Sequence, residues 1–314
     1  PLSPSSLRRY LRVGPGRAKL DRVSFPPAYL VRYDRMCDRA AAQVIASYST
    51  SFSMAARLLE PGARRDIRNL YAMVRVADEI VDGTAAQAGA DPAAQLNRYE
   101  AAVLAAPATR FHTDPILHAY AASARRCGFG EEHVRAFFAS MRRDLGAAAY
   151  FEADLDQYVY GSAEVIGLLC LRVFLAGRQV AAEDRTRMEL GARSLGSAFQ
   201  KINFLRDYGE DRDVLGRSYF GEQVLDDAAK SALIADIRQE LATARAAIPL
   251  LPASVRGAVT AAEALFAELT DMIDAAPAAQ LAKTRISVPT RRKLAITARA
   301  AAGQPRQLGA RRRG

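Results

Sequence analysis

From about Tyr33 to Ala282 the chain is rich in alanine, nearly free of alternating β-branched residues, and places its apolar side chains three and four positions apart. That period matches one face of an α-helix and no face of a strand, so the whole stretch is predicted helical. Breaks are expected at Glu60-Pro61-Gly62, from Asp82-Gly83 to Asp91-Pro92, at Ala106-Pro107, across Cys127 to Gly130, at Ala176-Gly177, from Gly216 to Gly221, and from Pro249 to Pro252. They divide the chain into about eight to ten helices with short connections. No linker rich in Pro, Ser or Gly interrupts the body and no long repeat is visible. The reading is a single all-α domain over residues 31–300. A basic N-terminal segment, 1–30, and a basic tail, 301–314, are both expected to be weakly ordered.

The formal charge of +10 invites a nucleic-acid reading, but its location argues otherwise. Residues 1–40 carry nine basic and three acidic side chains, and residues 283–314 carry ten basic and none acidic, so residues 41–282 have a net charge of −6. The ends are basic and the body is acidic, so no nucleic-acid partner is expected. Cys37, Cys127 and Cys170 lack any metal or redox spacing and are read as reduced thiols. His112, His118 and His133 have no nucleophile motif beside them, and no phosphate-cradling glycine loop appears. The most apolar run, Val165 to Ala176, contains Arg172 and follows Glu164, so no membrane-spanning helix is expected. The N-terminus begins Pro-Leu-Ser-Pro and has no apolar core of a secretory signal.

What remains is carboxylate chemistry. In NLYAMVRVADEIVD, Tyr71, Arg75, Asp78 and Asp82 stand at offsets 0, 4, 7 and 11. In SAFQKINFLRDYGEDRD, Gln200, Asn203, Asp207 and Asp211 stand at offsets 0, 3, 7 and 11. On a helix each set falls within an arc of roughly 80–100°, giving two polar ladders that end in two carboxylates one turn apart. Apolar residues flank both, which suggests ladders facing an interior cleft. Four carboxylates there repel one another and are costly to desolvate unless divalent cations lie between them. All-oxygen ligands suit Mg2+, which shares its coordination with water and substrate phosphates. Arg75 and Arg206 are placed to grip phosphate oxygens, with an ion pair to a neighbouring aspartate as the alternative. Such a site suits ionisation of an allylic diphosphate inside a dry apolar cavity. A lone DxxxD is usually a solvated helix face. Asp34 and Asp38, surrounded by Arg35 and Arg39 without a matching ladder, are read that way.

With both ladders on the page, the chain resembles the squalene/phytoene synthase family of head-to-head prenyl synthases. RVADEIVD is similar to its first aspartate-rich motif, and LGSAFQKINFLRDYGEDRD followed by GRSYF to its second. SFSMAARLLEP with RRDIRNLYA, YVYGSAEVIGLLCLRVF and RISVPTRRKL add further matches, over about residues 35 to 295. The resemblance implies an isoprenoid-synthase helical bundle with a central active-site cavity. It implies Mg2+ ligation by Asp78, Asp82, Asp207 and Asp211 with help from Asn203, two or three ions accompanying the diphosphate. Ser51, Phe52 and Ser53 match a loop closing over one diphosphate, with a helix cap and core phenylalanine as the alternative. Arg75 and Arg206 match diphosphate contacts. Tyr71 and Tyr158 match cavity tyrosines near the reacting carbons, or else are buried tyrosines held by one hydrogen bond. Gln200 matches a polar group one turn before Asn203, and Arg217 and Tyr219 a flap after the second motif. Arg291 is the candidate phosphate contact from the C-terminal segment, against an exposed basic run. Glu164 departs from the small residue often found there; a salt bridge, with Arg172 as candidate partner, would accommodate it.

The implied reaction joins two geranylgeranyl diphosphates through a cyclopropylcarbinyl diphosphate to phytoene, with Mg2+ and without NADPH. Farnesyl diphosphate condensation to presqualene diphosphate, squalene or dehydrosqualene is the alternative. A class I terpene cyclase or a non-catalytic helical scaffold fits less well: DYGED is a poor match to the cyclase triad, and all four aspartates are retained. The expected location is cytoplasmic, with peripheral contact to the inner face of the membrane through the basic ends as one option. The sequence leaves the oligomeric state open.

Overall fold

The computed structural model describes residues 28–146, 152–213, 219 and 225–303. The basic segments expected at 1–30 and 301–314 lie almost wholly outside these residues, as does Arg217. Helices and their connections make up all the described residues, with no strand among them. The all-α expectation holds.

Local chemistry sets the helix boundaries. α1 (Ala28–Tyr48) leads into the short α2 (Thr50–Ala56), which Ser49 caps by accepting from Phe52 N at 3.2 Å. α3 (Pro61–Val81) starts on a proline, whose missing N–H costs nothing in a first turn. The short α4 (Thr84–Gln87) precedes α5 (Pro92–Ala105) and α6 (Pro115–Cys127), whose capping residues Asp91 and Asp114 accept from the amides two and three positions on. Gly128 ends α6 at φ 66°, a left-handed turn that favours glycine. α7 (Glu131–Arg143) follows. α8 (Glu152–Val159), a π-turn at Tyr160–Glu164 and α9 (Val165–Leu175) then form one apolar rod. α10 (Ala182–Arg206), α11 (Tyr208–Asp213), α12 (Asp227–Ala247), α13 (Ala253–Asp274), α14 (Ala278–Leu281) and α15 (Thr290–Ala302) complete the chain.

Two cores flank a central cavity. On one side α3 presents Leu70, Met73 and Ala77 to Val103, Tyr120, Phe137 and Phe138 of α5, α6 and α7. On the other, α10 presents Ile202 and Leu205 to Ile234 and Ile237 of α12 and Phe266 of α13. Each fully buried Leu, Ile, Val, Met or Phe among them contributes about 1.5–3 kcal/mol. Residues 155–175 are long and apolar enough, with mean hydropathy 1.5, to cross a membrane by length and composition. The sequence expectation of no such helix therefore needs correcting: the rod gains its length by running through the π-turn. Here it packs between α7, α3 and α10, half of its residues are buried, and it serves as a wall of the bundle. Its approach to α10 is close. A Cβ on Gly196 would stand 2.4 Å from the Ala163 carbonyl oxygen, and one on Gly167 2.2 Å from that of Ala192.

Asp34 and Asp38 are more than solvated surface. Asp34 meets His118 Nε2 at 2.7 Å and Asp38 accepts from Asn69 Nδ2 at 3.1 Å, tying α1 to α6 and α3 away from the cavity.

Candidate active site

The cavity encloses about 840 Å3 between α3 and α10. Tyr71, Arg75, Asp78 and Asp82 line one wall, and Gln200, Asn203, Arg206, Asp207 and Asp211 the opposite one. Phe52, Tyr158 and Tyr219 also line it. Farther in, the walls turn apolar, with Ile166, Phe174, Met188, Leu195, Leu251 and Val259.

Three helices end on this cavity, each capped by an aspartate: Asp82 on α3, Asp144 on α7 and Asp207 on α10. A helix C-terminus carries about half a negative charge, so a carboxylate there is in the least favourable position on the helix. The cost is visible at Asp78, one turn before Asp82. Burial first, then Asp82, push its carboxyl up to about 7 against the opposing pull of Arg75, and Asp144 and Glu79 add to the rise. Burial, followed by Asp78, likewise pushes the Tyr71 phenol up to about 12.

The arginines divide between the two walls. Arg206 grips both oxygens of Asp207 with one guanidinium edge, its Nε at 2.9 Å, and Arg285 reaches the same carboxylate at 2.9 Å. For Arg206 the ion-pair alternative is what this structure contains. Arg75 instead pairs chiefly with Glu79, its Nε at 3.0 Å, stands 3.8 Å from Asp78, and lies over the Tyr48 ring at 4.3 Å. Arg75 thus gives its closest contacts to Glu79 rather than to Asp78, while Asp207 on the α10 side is held by two arginines.

Several sequence expectations need correction. The second ladder is not one continuous helix: α10 stops at Arg206, Asp207 takes φ −99°, and α11 restarts at Tyr208. The register survives because Asp211 N donates to the Asp207 carbonyl at 2.9 Å. Ser51 and Ser53 sit inside α2, not in a loop, and do not line the cavity; Ser49 and Phe52 do. Phe52 packs against Phe199 and Phe266, at 5.7 and 5.5 Å between ring centres. Arg291 is exposed and outside the cavity lining, whereas Arg285, at the start of the same motif, lines the cavity and pairs with Asp207. Lys293 bonds Thr50 Oγ1 at 2.7 Å, fastening α15 to α2. Glu164 pairs with Arg193 at 2.6 Å, not with Arg172, and does not line the cavity. Asp144, Glu79 and Arg285 are site residues that the sequence reading missed.

Residues 45–245, which include both aspartate motifs, match the squalene/phytoene synthase family. The chain belongs to that family. Within its matched region it is 34% identical to a 15-cis-phytoene synthase from Paracoccus sp. over 193 residues, 60% of this chain and 61% of the relative. It is 30% identical to a 4,4'-diapophytoene synthase from Staphylococcus haemolyticus over 188 residues, 59% of this chain and 62% of the relative. The matched region thus spans about three-fifths of the length of these curated relatives. The fold is similar to a crystal structure of a dehydrosqualene synthase, with a TM-score of 0.72 and 20% identity over 87% of this chain and 98% of that one. A squalene synthase from Alicyclobacillus acidocaldarius gives 0.66 and 21%, covering 79% and 95%. The isoprenoid-synthase bundle expected from the motifs is therefore the fold of this chain.

The family motifs imply Mg2+, and the donor set fits it. The candidate ligands are oxygens, burial and Asp82 push the Asp78 carboxyl up, and Asn203 Oδ1 is buried without a hydrogen-bond partner. Among the described residues no three carboxylates, histidines or cysteines converge as a ready-made chelate. That is the arrangement Mg2+ tolerates, since it keeps waters and takes further ligands from substrate phosphates.

Proposed function

We propose that this protein is a prenyltransferase that condenses two allylic prenyl diphosphates head to head, in the first instance two geranylgeranyl diphosphates to phytoene. The observation that carries the proposal is the pair of facing aspartate walls at the mouth of a cavity whose depth is apolar. Asp78 and Asp82 on one wall, and Asn203, Asp207 and Asp211 on the other, would hold Mg2+, which supplies charge neutralisation of the departing diphosphate. Arg75, Arg206 and Arg285 bind and orient phosphate oxygens, exchanging their present carboxylate partners for them. The apolar walls exclude water, so C1 of the ionised chain meets the 2,3-double bond of the second substrate and not a hydroxyl. The aromatic rings of Phe52, Tyr71 and Tyr158 present electron-rich surfaces to the cationic carbons. Loss of a proton from C1 of the ionised chain closes the ring to the cyclopropylcarbinyl diphosphate, which ionises in turn, releases the second diphosphate, rearranges and loses a second proton, giving a conjugated triene without a reductant.

The C20 substrate is favoured by the phytoene synthases among the relatives. Farnesyl diphosphate is the second reading, supported by the diapophytoene synthase relative. Both substrates partition into membranes. α15 exposes Leu294 beside Arg291, Arg292 and Arg299, which suits peripheral contact with an anionic bilayer on the cytoplasmic side. Incubation with each diphosphate and Mg2+, with and without NADPH, followed by hydrocarbon analysis tests the assignment. A C40 triene from geranylgeranyl diphosphate without NADPH supports it. A C30 product alone transfers the assignment to farnesyl diphosphate, and no C30 or C40 product or cyclopropyl diphosphate under any condition overturns it.

A further inference from the structure

Tyr158 is held from two directions by the same helix. Ser140 Oγ donates to the Tyr158 carbonyl at 3.2 Å, and one turn later Asp144 Oδ2 accepts from the Tyr158 hydroxyl at 3.1 Å. Ser140 and Asp144 are four residues apart, so α7 grips both the backbone and the side chain of this tyrosine. The grip depends on close approach: a Cβ on Gly161 would lie 2.1 Å from Ser140 Oγ and 2.5 Å from the Ala136 carbonyl oxygen. The ring itself belongs to an aromatic cluster. It lies 6.1 Å from Phe204 and 5.7 Å from Tyr219, which stack on each other at 4.0 Å. Packing therefore fixes where the ring sits, and Asp144 fixes where the phenolic proton points.

We propose that Asp144 is the positioning residue for Tyr158, holding its proton so that the phenolic oxygen meets the cavity as an acceptor. This rests on the prenyl-condensation reading of the site. An oxygen with its dipole turned that way stabilises positive charge on a nearby carbon, whereas a rotated hydroxyl presents its proton and opposes that charge. The effect belongs to the cationic steps and not to diphosphate capture.

The test is a double-mutant cycle of Asp144→Ala and Tyr158→Phe, with Asp144→Asn as the conservative variant that keeps an acceptor oxygen. The expected outcome for Asp144→Ala is a loss in kcat of about tenfold, with KM within about twofold and a larger share of product leaving as cyclopropylcarbinyl diphosphate. Asp144→Asn recovers activity to within about threefold of wild type, and Asp144→Ala adds nothing further in the Tyr158→Phe background. Losses that multiply across the cycle overturn the proposal. So does an Asn variant as impaired as the Ala variant with a raised Mg2+ requirement, because that assigns the effect to charge. If wild type itself makes no head-to-head product, the functional reading fails instead, and the two failures are distinguishable.

Discussion

Replacing Asp78 by Asn should stabilise the metal-free protein while abolishing its activity. The wild-type carboxyl is pushed from an ordinary 3.8 up to about 7, so in the absence of cations the fold disfavours its ionised form. A raised carboxyl pKa carries no cost below about pH 4, a growing cost between pH 4 and 7, and its full cost above pH 7. Three pH units correspond to at most about 4 kcal/mol. The side chain remains 30% exposed to the cavity, and water there screens the interaction, so about 1–2 kcal/mol is the working figure. For a chain of this length that is a rise in Tm of about 2–4 °C. Thermal unfolding of both proteins at pH 8 in EDTA and in Mg2+ with inorganic pyrophosphate, and again at pH 4.5 in EDTA, measures it. The variant should melt higher at pH 8 in EDTA, keep only about a quarter of that gain at pH 4.5, and gain less from Mg2+ and pyrophosphate. A lower Tm for the variant at pH 8 in EDTA, or an equal gain at pH 4.5, would refute the electrostatic reasoning.

Three further outcomes follow from individual contacts. Gly196→Ala forces a Cβ against the Ala163 carbonyl and should destabilise by about 1–3 kcal/mol in urea unfolding, with unchanged stability counting against the close approach of the π-turn to α10. Arg285→Ala removes a largely exposed partner from Asp207, which keeps Arg206, so stability should change by less than about 1 kcal/mol, while KM for the diphosphate rises about three- to tenfold. Arg291→Ala should leave KM within about twofold, and the reverse ranking of these two arginines would contradict the site's boundary. Glu164→Ala should cost less than about 1 kcal/mol in stability and leave product chain length unchanged, because its partner is Arg193 and it does not line the cavity. A shift from C40 to C30 product would show that Glu164 does reach the substrate.

The α3 ladder was legible because one uninterrupted helix carries it, so spacing alone fixes which side chains share a face. The α10 ladder was legible in its residues but not in its geometry. Nothing in LRDYGED announces that the helix stops at Arg206, yet the backbone bond from Asp211 to Asp207 restores the one-turn offset. Asp144 was not legible. It follows Arg142 and Arg143 and looks like surface charge, and only the packing of α7 against the π-turn brings it beside Tyr158. Glu79 was hidden by its neighbour Asp78, and its role becomes visible only when Arg75 chooses it over the aspartates. Arg285 and Arg291 begin and end a short stretch of one basic motif, and no periodicity says which turns inward. Arg217 lies outside the described residues. Helical period and motif spacing reveal what one helix does, whereas the missed residues depend on where different helices end relative to one another.

The central claim is a bond between the two C1 atoms of two identical prenyl chains, and labelled substrate tests it most directly. Geranylgeranyl diphosphate carrying 13C at C1 should give a C40 product whose two labels are adjacent in the central triene; because symmetry makes them equivalent, their coupling is read from the AA'XX' multiplet of the 13CH=13CH unit with proton coupling retained. Labelled farnesyl diphosphate serves the same purpose if the C15 chain is the one accepted. Labels that remain uncoupled, or label recovered only in a prenyl alcohol or a cyclised single chain, would contradict head-to-head condensation.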